Sequence, residues 1–515
     1  MTGGENEEPG QTIMAHIGDK DREPIAGISA ASSCIRLSLC SPKSEELLTF
    51  RPVYTHQCFQ DEFLPGWRPL VNAEDEARHL YQSWKTIDED CDFHPSFNSC
   101  QIEGSNNNSR VDVHVELAPS CTTCEVDIKA IECEDITNKI GESAPKKPKL
   151  VRFELPSNEK KQQMALCDIV QKISSAVPPI TNVRLNGVEF EGWISPEQQD
   201  KNSSFEYLEQ PIGRVLKSYQ RKMKGRSQHA TFVITIAPGV DGNTSKYHAS
   251  VQRLARWFIE TADDVDIDND SDDSGGFWSV LYLFREHSVI CDDDQNKSEQ
   301  RKVRYSLAGY TTLFHFHAPF KKPEPGIVVR VCQALILPPY QRAGHGSDML
   351  HSVYEYAEEF TVDGQKIVEV NVEDPAPGFV ALRDFVDYRR YLSCLLTSIK
   401  TDDAIVTDKH FFSPVSDEKL QEIATSLKIT KRQAQRVHEL HKLEQLQKWK
   451  NHADDNSTIE EKETQYRLMI KKTLRSIRKE ELGACTGGKE EQKVLLERWF
   501  QETSAHYRRL LGSGK

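Results

Sequence analysis

Residues 327–346, IVVRVCQALILPPYQRAGHG, run a long apolar stretch into a glycine-rich turn, and a helical pattern starts at once behind it. The stretch Ile327–Leu337 reads as a buried strand. Pro338 and Pro339 stop it, because proline brings no backbone N–H to a ladder. After Ser347, residues Met349, Leu350, Val353, Ala357 and Phe360 fall on one face at helical spacing. A strand that hands over directly to a packed helix needs a layered fold with helices laid on a sheet. The neighbouring segments agree. QHATFVITIAP (228–238), FWSVLYLFRE, RYSLAGYTTLFHFH and KIVEVNVED (366–374) read as strands, and VQRLARWFIETA (251–262) as a helix. This alternation predicts an α/β (α+β) class, with a mixed twisted sheet and flanking helices.

The rest of the chain divides by composition. Residues 1–25 are rich in Gly, Glu, Pro and Asp and read as disordered. Residues 26–225 read as a smaller α/β domain, with a low-complexity insert at about 99–165. The strand and helix alternation occupies 226–394, and 395–515 turns helical and highly charged. There Ser416 and Thr430 stand as helix N-caps, the second in a capping box with Gln433. Thirteen cysteines in 515 residues, odd in number and not densely spaced, predict reduced thiols in a cytosolic or nuclear setting. No basic and then apolar start marks a secretory signal, and no long apolar run marks a membrane span. A formal charge of −14 speaks against naked nucleic acid as the main partner and leaves a basic partner open, although it also serves plain solubility. Lys146, Lys147 and Lys149 form a basic cluster that reads equally as a nuclear address or a solvated linker.

The glycine turn predicts an anion cradle. It is no nucleoside-triphosphate loop, since no Gly-Lys-Ser/Thr follows, and no dinucleotide fingerprint, since Met349 stands where a third glycine is needed. A helix start carries unpaired N–H groups and the positive end of the helix dipole. Glycines there let a phosphate reach the backbone, so a diphosphate suits the site.

Gln341, Gly344 and Gly346 in QRAGHG fill the fixed positions of Gln/Arg-x-x-Gly-x-Gly/Ala on a strand-to-helix turn, which resembles the acetyl-coenzyme A loop of the GNAT N-acetyltransferase superfamily. YTHQCFQDE (54–62), WFIETADDVDID (257–268), LAGYTTLFHF (307–316), VEDPAPGFVALRDF (372–385) and the helical tail narrow it. Together they resemble the type B histone acetyltransferase catalytic subunits, from about 50 to 95 and from about 250 to 450. The resemblance implies the GNAT fold for 226–394. It also implies transfer of acetyl from acetyl-CoA to lysines of the tail of newly made histone H4, by direct attack in a ternary complex and with no metal. The implied partners are histone H4 with histone H3 and a WD40 β-propeller histone chaperone, in nucleus and cytoplasm.

The family's residues map as follows. Leu335, Ile336 and Leu337 would pair with the pantetheine arm, and Gln341, Arg342, Ala343, Gly344, His345, Gly346 and Ser347 would hold the diphosphate. Arg342 stands where relatives often carry glycine, and Gly378 where a polar side chain toward coenzyme A is expected. Asp61, Glu62 and Phe63, with Phe314, His315 and Phe316, match the histone-contacting stretches. Glu373, Asp374 and Glu260 match the catalytic carboxylates. A lysine ammonium has an ordinary pKa of about 10.4, so a base must take its proton before the amine attacks. Glu373 ends the strand before Pro375, on the side shared with Glu369 and Asn371, and is the expected base.

Each of these has a plainer reading: a strand-end acid is often a cap, Glu260 and Arg256 form an ordinary helix pair, and two alternating phenylalanines can face a core. DDVDIDNDSDD (263–273) opens like a calcium loop, but Ser271 and Phe277 stand where glycine and glutamate are required. Cys121-x-x-Cys124 with Cys133 and His114 is a weak zinc pattern. Two other functions fit parts of the sequence: a GNAT enzyme acting on small amines or protein N-termini, and a non-catalytic histone-binding scaffold.

Overall fold

A computed structural model describes residues 35–39, 48–50, 109–132, 169–171, 173–185, 188–189, 207–223, 229–259, 262–268, 275–292, 299–362, 364–398, 415–451, 456–485 and 488–512. Residues 1–25, the Asp61–Glu62–Phe63 segment, Cys133, Glu260 and the basic cluster at 146–149 lie outside them.

β1 (Ile35–Leu39), β2 (Leu48–Phe50), β3 (Ser109–Leu117), β4 (Cys124–Glu132), β5 (Ile180–Leu185) and β6 (Val188–Glu189) form one mixed sheet, in the order β2-β1-β3-β4-β5-β6. Residues 109–132, expected within a low-complexity insert, are its central hairpin. Val111, Val113, Val115 and Leu117 alternate with Asp112, His114 and Glu116, so charged composition hides one apolar face. Val113, Val115, Val126 and Ile128 are buried accordingly. Cys121 and Cys124 are fully buried, and burial pushes both thiols up. The Cys124 thiol donates to the Pro178 carbonyl at 3.2 Å, and His114 Nε2 lies 2.8 Å from Ser38 Oγ.

β7 (Arg214–Lys222), β8 (His229–Pro238), β9 (Gly276–Asp292), β10 (Glu299–Ala318), β11 (Gly326–Ile336), β12 (Thr361–Val362) and β13 (Gln365–Val372) form the second sheet, in the order β12-β13-β11-β10-β9-β8-β7. β7 lies before the boundary expected at 226 and pairs along β8. Every neighbour pair is antiparallel except β11 and β13, which run parallel. The fold is therefore α/β with mixed sheets, as the alternation predicts.

Helix α1 (Gly242–Val251) is capped by Asp241, whose carboxylate accepts from Thr244 N at 3.0 Å. A tight 3-10 turn, Gln252–Trp257, follows where the sequence suggests continuous helix. The two sheets meet here: Tyr247 donates to the Ser120 carbonyl at 2.9 Å, and Leu307 N to the Pro119 carbonyl at 2.9 Å.

α2 (His345–Glu359) covers the opposite face of the second sheet and is followed by α3 (Pro377–Ser398). Beyond them come α4 (Asp417–Leu427), α5 (Lys431–Lys450), α6 (Asn456–Ile477), α7 (Lys479–Gly483) and α8 (Gly488–Gly512). Ser416 and Thr430 cap α4 and α5 as expected, accepting from Lys419 N at 3.3 Å and Gln433 N at 3.2 Å. The Gln433 side chain does not return to close the box. It donates to Asp384 at 3.0 Å, and Arg436 Nε and His506 Nε2 reach the same carboxylate at 2.8 Å each. One buried acid on α3 thus ties α5 and α8 to the sheet-bearing part. Among the described residues, no helix is long and apolar enough to cross a membrane.

Candidate active site

The parallel pair β11/β13 is in register from Val328↔Glu369 to Val331↔Val372, with a shift before it at Ile327↔Ile367, and Glu373 N donates to the Val331 carbonyl at 3.0 Å. There the pairing ends. β11 continues to Ile336 along β10, while the chain after β13 bends through Glu373 and Asp374 into α3. The split strands leave one edge of Cys332–Ile336 without a β13 partner. A backbone edge in this state can accept an extended guest.

The glycine turn stands over the split. A turn at Pro338–Tyr340 ends with Gln341 extended, and the Gln341 side chain donates to the Ile336 carbonyl at 2.7 Å. Leu337 N donates to the Ala308 carbonyl at 2.9 Å. Of the three residues expected to pair with a pantetheine arm, Ile336 and Leu337 thus already use one backbone group each within the protein. Arg342 has φ +63° and Gly344 φ +88°, both in the left-handed region. Gly344 is the N-cap of α2 with no side-chain cap, and the Asp348 amide bonds its carbonyl at 3.2 Å. The amides of His345, Gly346 and Ser347 therefore open the helix without intrahelical partners.

The glycines have different causes. Gly344 is required by its φ; a Cβ there would sit 3.5 Å from the Arg221 guanidinium, an ordinary contact. At Gly346 a Cβ would stand 3.0 Å from Leu382 Cδ2, so its bareness lets α2 and α3 approach each other. The expectation that both glycines clear space for a phosphate is corrected to that extent. The His345 imidazole turns away from the amides into the core: its Nδ1 lies 2.8 Å from the Tyr219 hydroxyl, its ring is 4.2 Å from that of Phe232, and burial brings its pKa down to about 4. Ala343 and Ser347 are half-buried beside the amides, Arg342 is exposed, and Gly378 faces open space in the first turn of α3.

Two cations missed by sequence reasoning stand beside this corner. Lys217 and Arg221 of β7 reach Asp348 at 3.2 and 2.6 Å. They are more than a hundred residues away in sequence, and only the strand pairing β7–β8 brings them here. Their side chains point the same way because Lys217, Tyr219 and Arg221 alternate along β7, a signal readable only once that strand is known.

Across the sheet face opposite α2, Trp278, Phe314, Arg330 and Asn371 form one cross-strand row. The Phe314 ring meets Trp278 at 4.7 Å and Phe316 at 4.5 Å, both edge to face, and the Arg330 guanidinium lies 4.4 Å from the Phe316 ring centre. Glu373 joins this row, 3.6 Å from Arg330, with 49 % of its side chain exposed. Cys332 lies beside it: burial first, then the Glu373 carboxylate, push the thiol up to about 12. Asn371 Oδ1 is buried without a hydrogen-bond partner. Asp374 is held at φ +29° next to Glu373.

His315 does not share that face. It is fully buried against α2, with Nε2 3.0 Å from the Tyr356 hydroxyl and its ring stacked 4.4 Å from Phe277. Burial lowers its pKa to about 4. The expectation that His315 lines a groove with Phe314 and Phe316 is therefore corrected: successive strand residues point to opposite faces.

A bulge at β11 puts Gln333 opposite Thr312, and the Gln333 side chain donates to the Asp263 carbonyl at 2.7 Å. The described part of the acidic run, 263–268, is thereby fastened to the split strand. Glu260 lies just before it, and Asp61, Glu62 and Phe63 also lie outside the described residues. The structure thus places Glu373 and Asp374 at the split, Phe314 and Phe316 along β10 beside it, and the glycine turn after the free end of β11. It removes His315 and the His345 imidazole from that set. Among the described residues, no group of three or more His, Cys, Asp or Glu side chains is arranged to hold a metal ion.

No family model matches the chain. Among curated proteins it is similar to the human histone acetyltransferase type B catalytic subunit, 26 % identical over 276 residues, 54 % of this chain and 55 % of that protein. A Dictyostelium discoideum protein of the same name is 28 % identical over 282 residues, 53 % of this chain and 50 % of its own. The Mycosarcoma maydis one is 26 % identical over 321 residues, 59 % of this chain and 63 % of its own. The chain thus spans about half to two thirds of the length of the curated relatives it matches.

Proposed function

We propose that this chain is an acetyl-CoA-dependent histone acetyltransferase of the GNAT fold, acting on lysines in the N-terminal tail of newly made histone H4. One observation carries the reading: a parallel strand pair splits at Val331 and Val372, opposite an uncapped helix start, with a half-exposed carboxylate at the split. The similarity to curated type B catalytic subunits supports it.

The residues present suit the cosubstrate. The amides of His345, Gly346 and Ser347, at the positive end of α2, would hold its diphosphate. Lys217 and Arg221 stand beside them and add positive field, which Asp348 partly offsets. The open edge of Cys332–Leu335 would take its amide-bearing arm. Bound acetyl-CoA supplies the thioester carbonyl; the chain's own residues do the rest. Glu373 is the base that takes the proton from the lysine ammonium. Its exposure leaves it reachable by the incoming lysine. Asp374 and Glu260 would share proton transfer or hold the lysine. Trp278, Phe314 and Phe316 give a flat apolar wall for an extended backbone, and the acidic run draws a basic tail toward it.

The same reading extends to the partners and the compartment: histone H4 presented with histone H3, a WD40 β-propeller histone chaperone, and residence in nucleus and cytoplasm. The test is acetylation of purified H3–H4 and of a panel of small amines with labelled acetyl-CoA, read by site. The reading predicts label on H4 tail lysines. Strong labelling of small amines with none on H4 would replace it with another GNAT activity.

A further inference from the structure

A cavity lies at the start of β13, at the opposite end of that strand from Glu373. Its volume is about 240 Å³, and it sits between the β10–β11 hairpin tip, the start of β13 and the end of α4. Four lysines line it, Lys321, Lys322, Lys366 and Lys428, against two glutamates, Glu324 and Glu369. Lys321 is paired with Glu369 at 2.7 Å, and Lys428 donates to the Ile367 carbonyl. Lys322 and Lys366 are exposed and have no ion-pair partner among the described residues. Lys428 is half-buried beside Lys366. Burial first, with like charge among the further causes, lowers its pKa. At the hairpin tip Phe320 is 93 % exposed, next to Lys321.

Like charges gathered around a cavity cost free energy unless an anion joins them, and here they gather in a chain whose formal charge is −14. We infer that this notch docks an acidic segment of a partner protein, with glutamate or aspartate side chains meeting Lys322, Lys366 and Lys428 and an apolar residue resting on Phe320. The shape decides between a compact phosphate and an extended acidic chain. Ala424, Thr425 and Ile429, in and just after the C-terminal turn of α4, line one side of the notch. A helix C-terminus carries partial negative charge, which disfavours a dianion buried against it. The lysines come from three separate elements around the mouth, so they suit carboxylates spread along a chain. The partner is distinct in chemistry from a basic histone tail, and the proposal stands or falls apart from the acetyltransferase reading.

The test is fluorescence anisotropy of the full chain with a labelled glutamate-rich peptide containing one leucine. A lysine-rich peptide and inorganic phosphate serve as comparison probes. The acidic peptide is expected to bind, and the lysine-rich one, which suits the proposed histone groove instead, is expected not to displace it. The double variant Lys322→Glu/Lys366→Glu is expected to weaken binding by about tenfold, and Phe320→Ala by a smaller factor. All three positions are exposed, and an unchanged melting curve confirms that the variants fold. Absence of binding by the unaltered chain, equal affinity in the double variant, or displacement by phosphate as effective as by unlabelled peptide would each overturn the proposal.

Discussion

At Gly344 backbone angle and chemistry meet in one residue. Its φ of +88° is one that side chains with a Cβ rarely adopt, so any substitution strains the turn whatever the free space. Gly344→Val should cost about 1–2 kcal/mol of stability. It should also weaken acetyl-CoA binding, because the strained turn no longer holds the amides in place. Chemical denaturation and calorimetry read the two effects separately. Unchanged coenzyme affinity would remove the turn from the binding site. Two residues earlier, Arg342 carries φ +63° without being glycine. Arg342→Gly should therefore stabilise the protein by roughly 0.5–1 kcal/mol, the relief of strain exceeding the added freedom of the unfolded chain. A urea midpoint that moves down would contradict it. The glycine positions were legible from spacing, but the reason for Gly346, its 3.0 Å approach to Leu382, was not. It depends on a contact between two helices whose packing no local pattern announces.

Among the elements, the α2 helix and strand β10 share a buried imidazole. His315 is held neutral between Phe277 and Tyr356, with its pKa brought down to about 4 by burial. An unfolded chain binds a proton there near pH 6.5 and the folded one does not until about pH 4. Stability should therefore be complete above pH 6.5 and fall as pH drops toward 4, by roughly 3 kcal/mol from this residue. His315→Gln should flatten that slope in urea denaturation measured against pH; an unchanged slope would assign the loss to other groups. The strands and helices around this pair were largely legible from periodicity, as were both N-caps. What escaped was which face each residue takes. An extra residue on β10 at Ala308 and another on β11 at Cys332 shift the count along these strands, and only the pairing partners reveal them. β3 and β4 escaped for the opposite reason: their alternation was present, but neighbouring polar composition outweighed it.

In the molecule as a whole, Asp384 is the node between the sheet-bearing part and the helical C-terminal part. Burial alone would raise its pKa, but the hydrogen bonds from Arg436 and His506 outweigh burial and hold it below the ordinary carboxylate value. Its contribution is therefore present at neutral pH and is lost only as pH falls below about 4, a window separate from that of His315. Asp384→Asn leaves Arg436 without its partner and should destabilise by roughly 3 kcal/mol at pH 7, read by urea denaturation. A loss much smaller than that would show that the helical part docks through its apolar contacts alone. Under the proposed function the arrangement matters for catalysis, because α3 begins at the split between β11 and β13 and carries Asp384 farther along. Fixing α3 from behind fixes the bend that presents Glu373.

The most direct measurement of this account is a crystal structure of the chain with coenzyme A. The account predicts the diphosphate on the amides of residues 345–347 and the pantetheine arm along Cys332–Leu335, ending within reach of Glu373. Coenzyme A bound elsewhere, or Glu373 far from the end of its thiol arm, would contradict it.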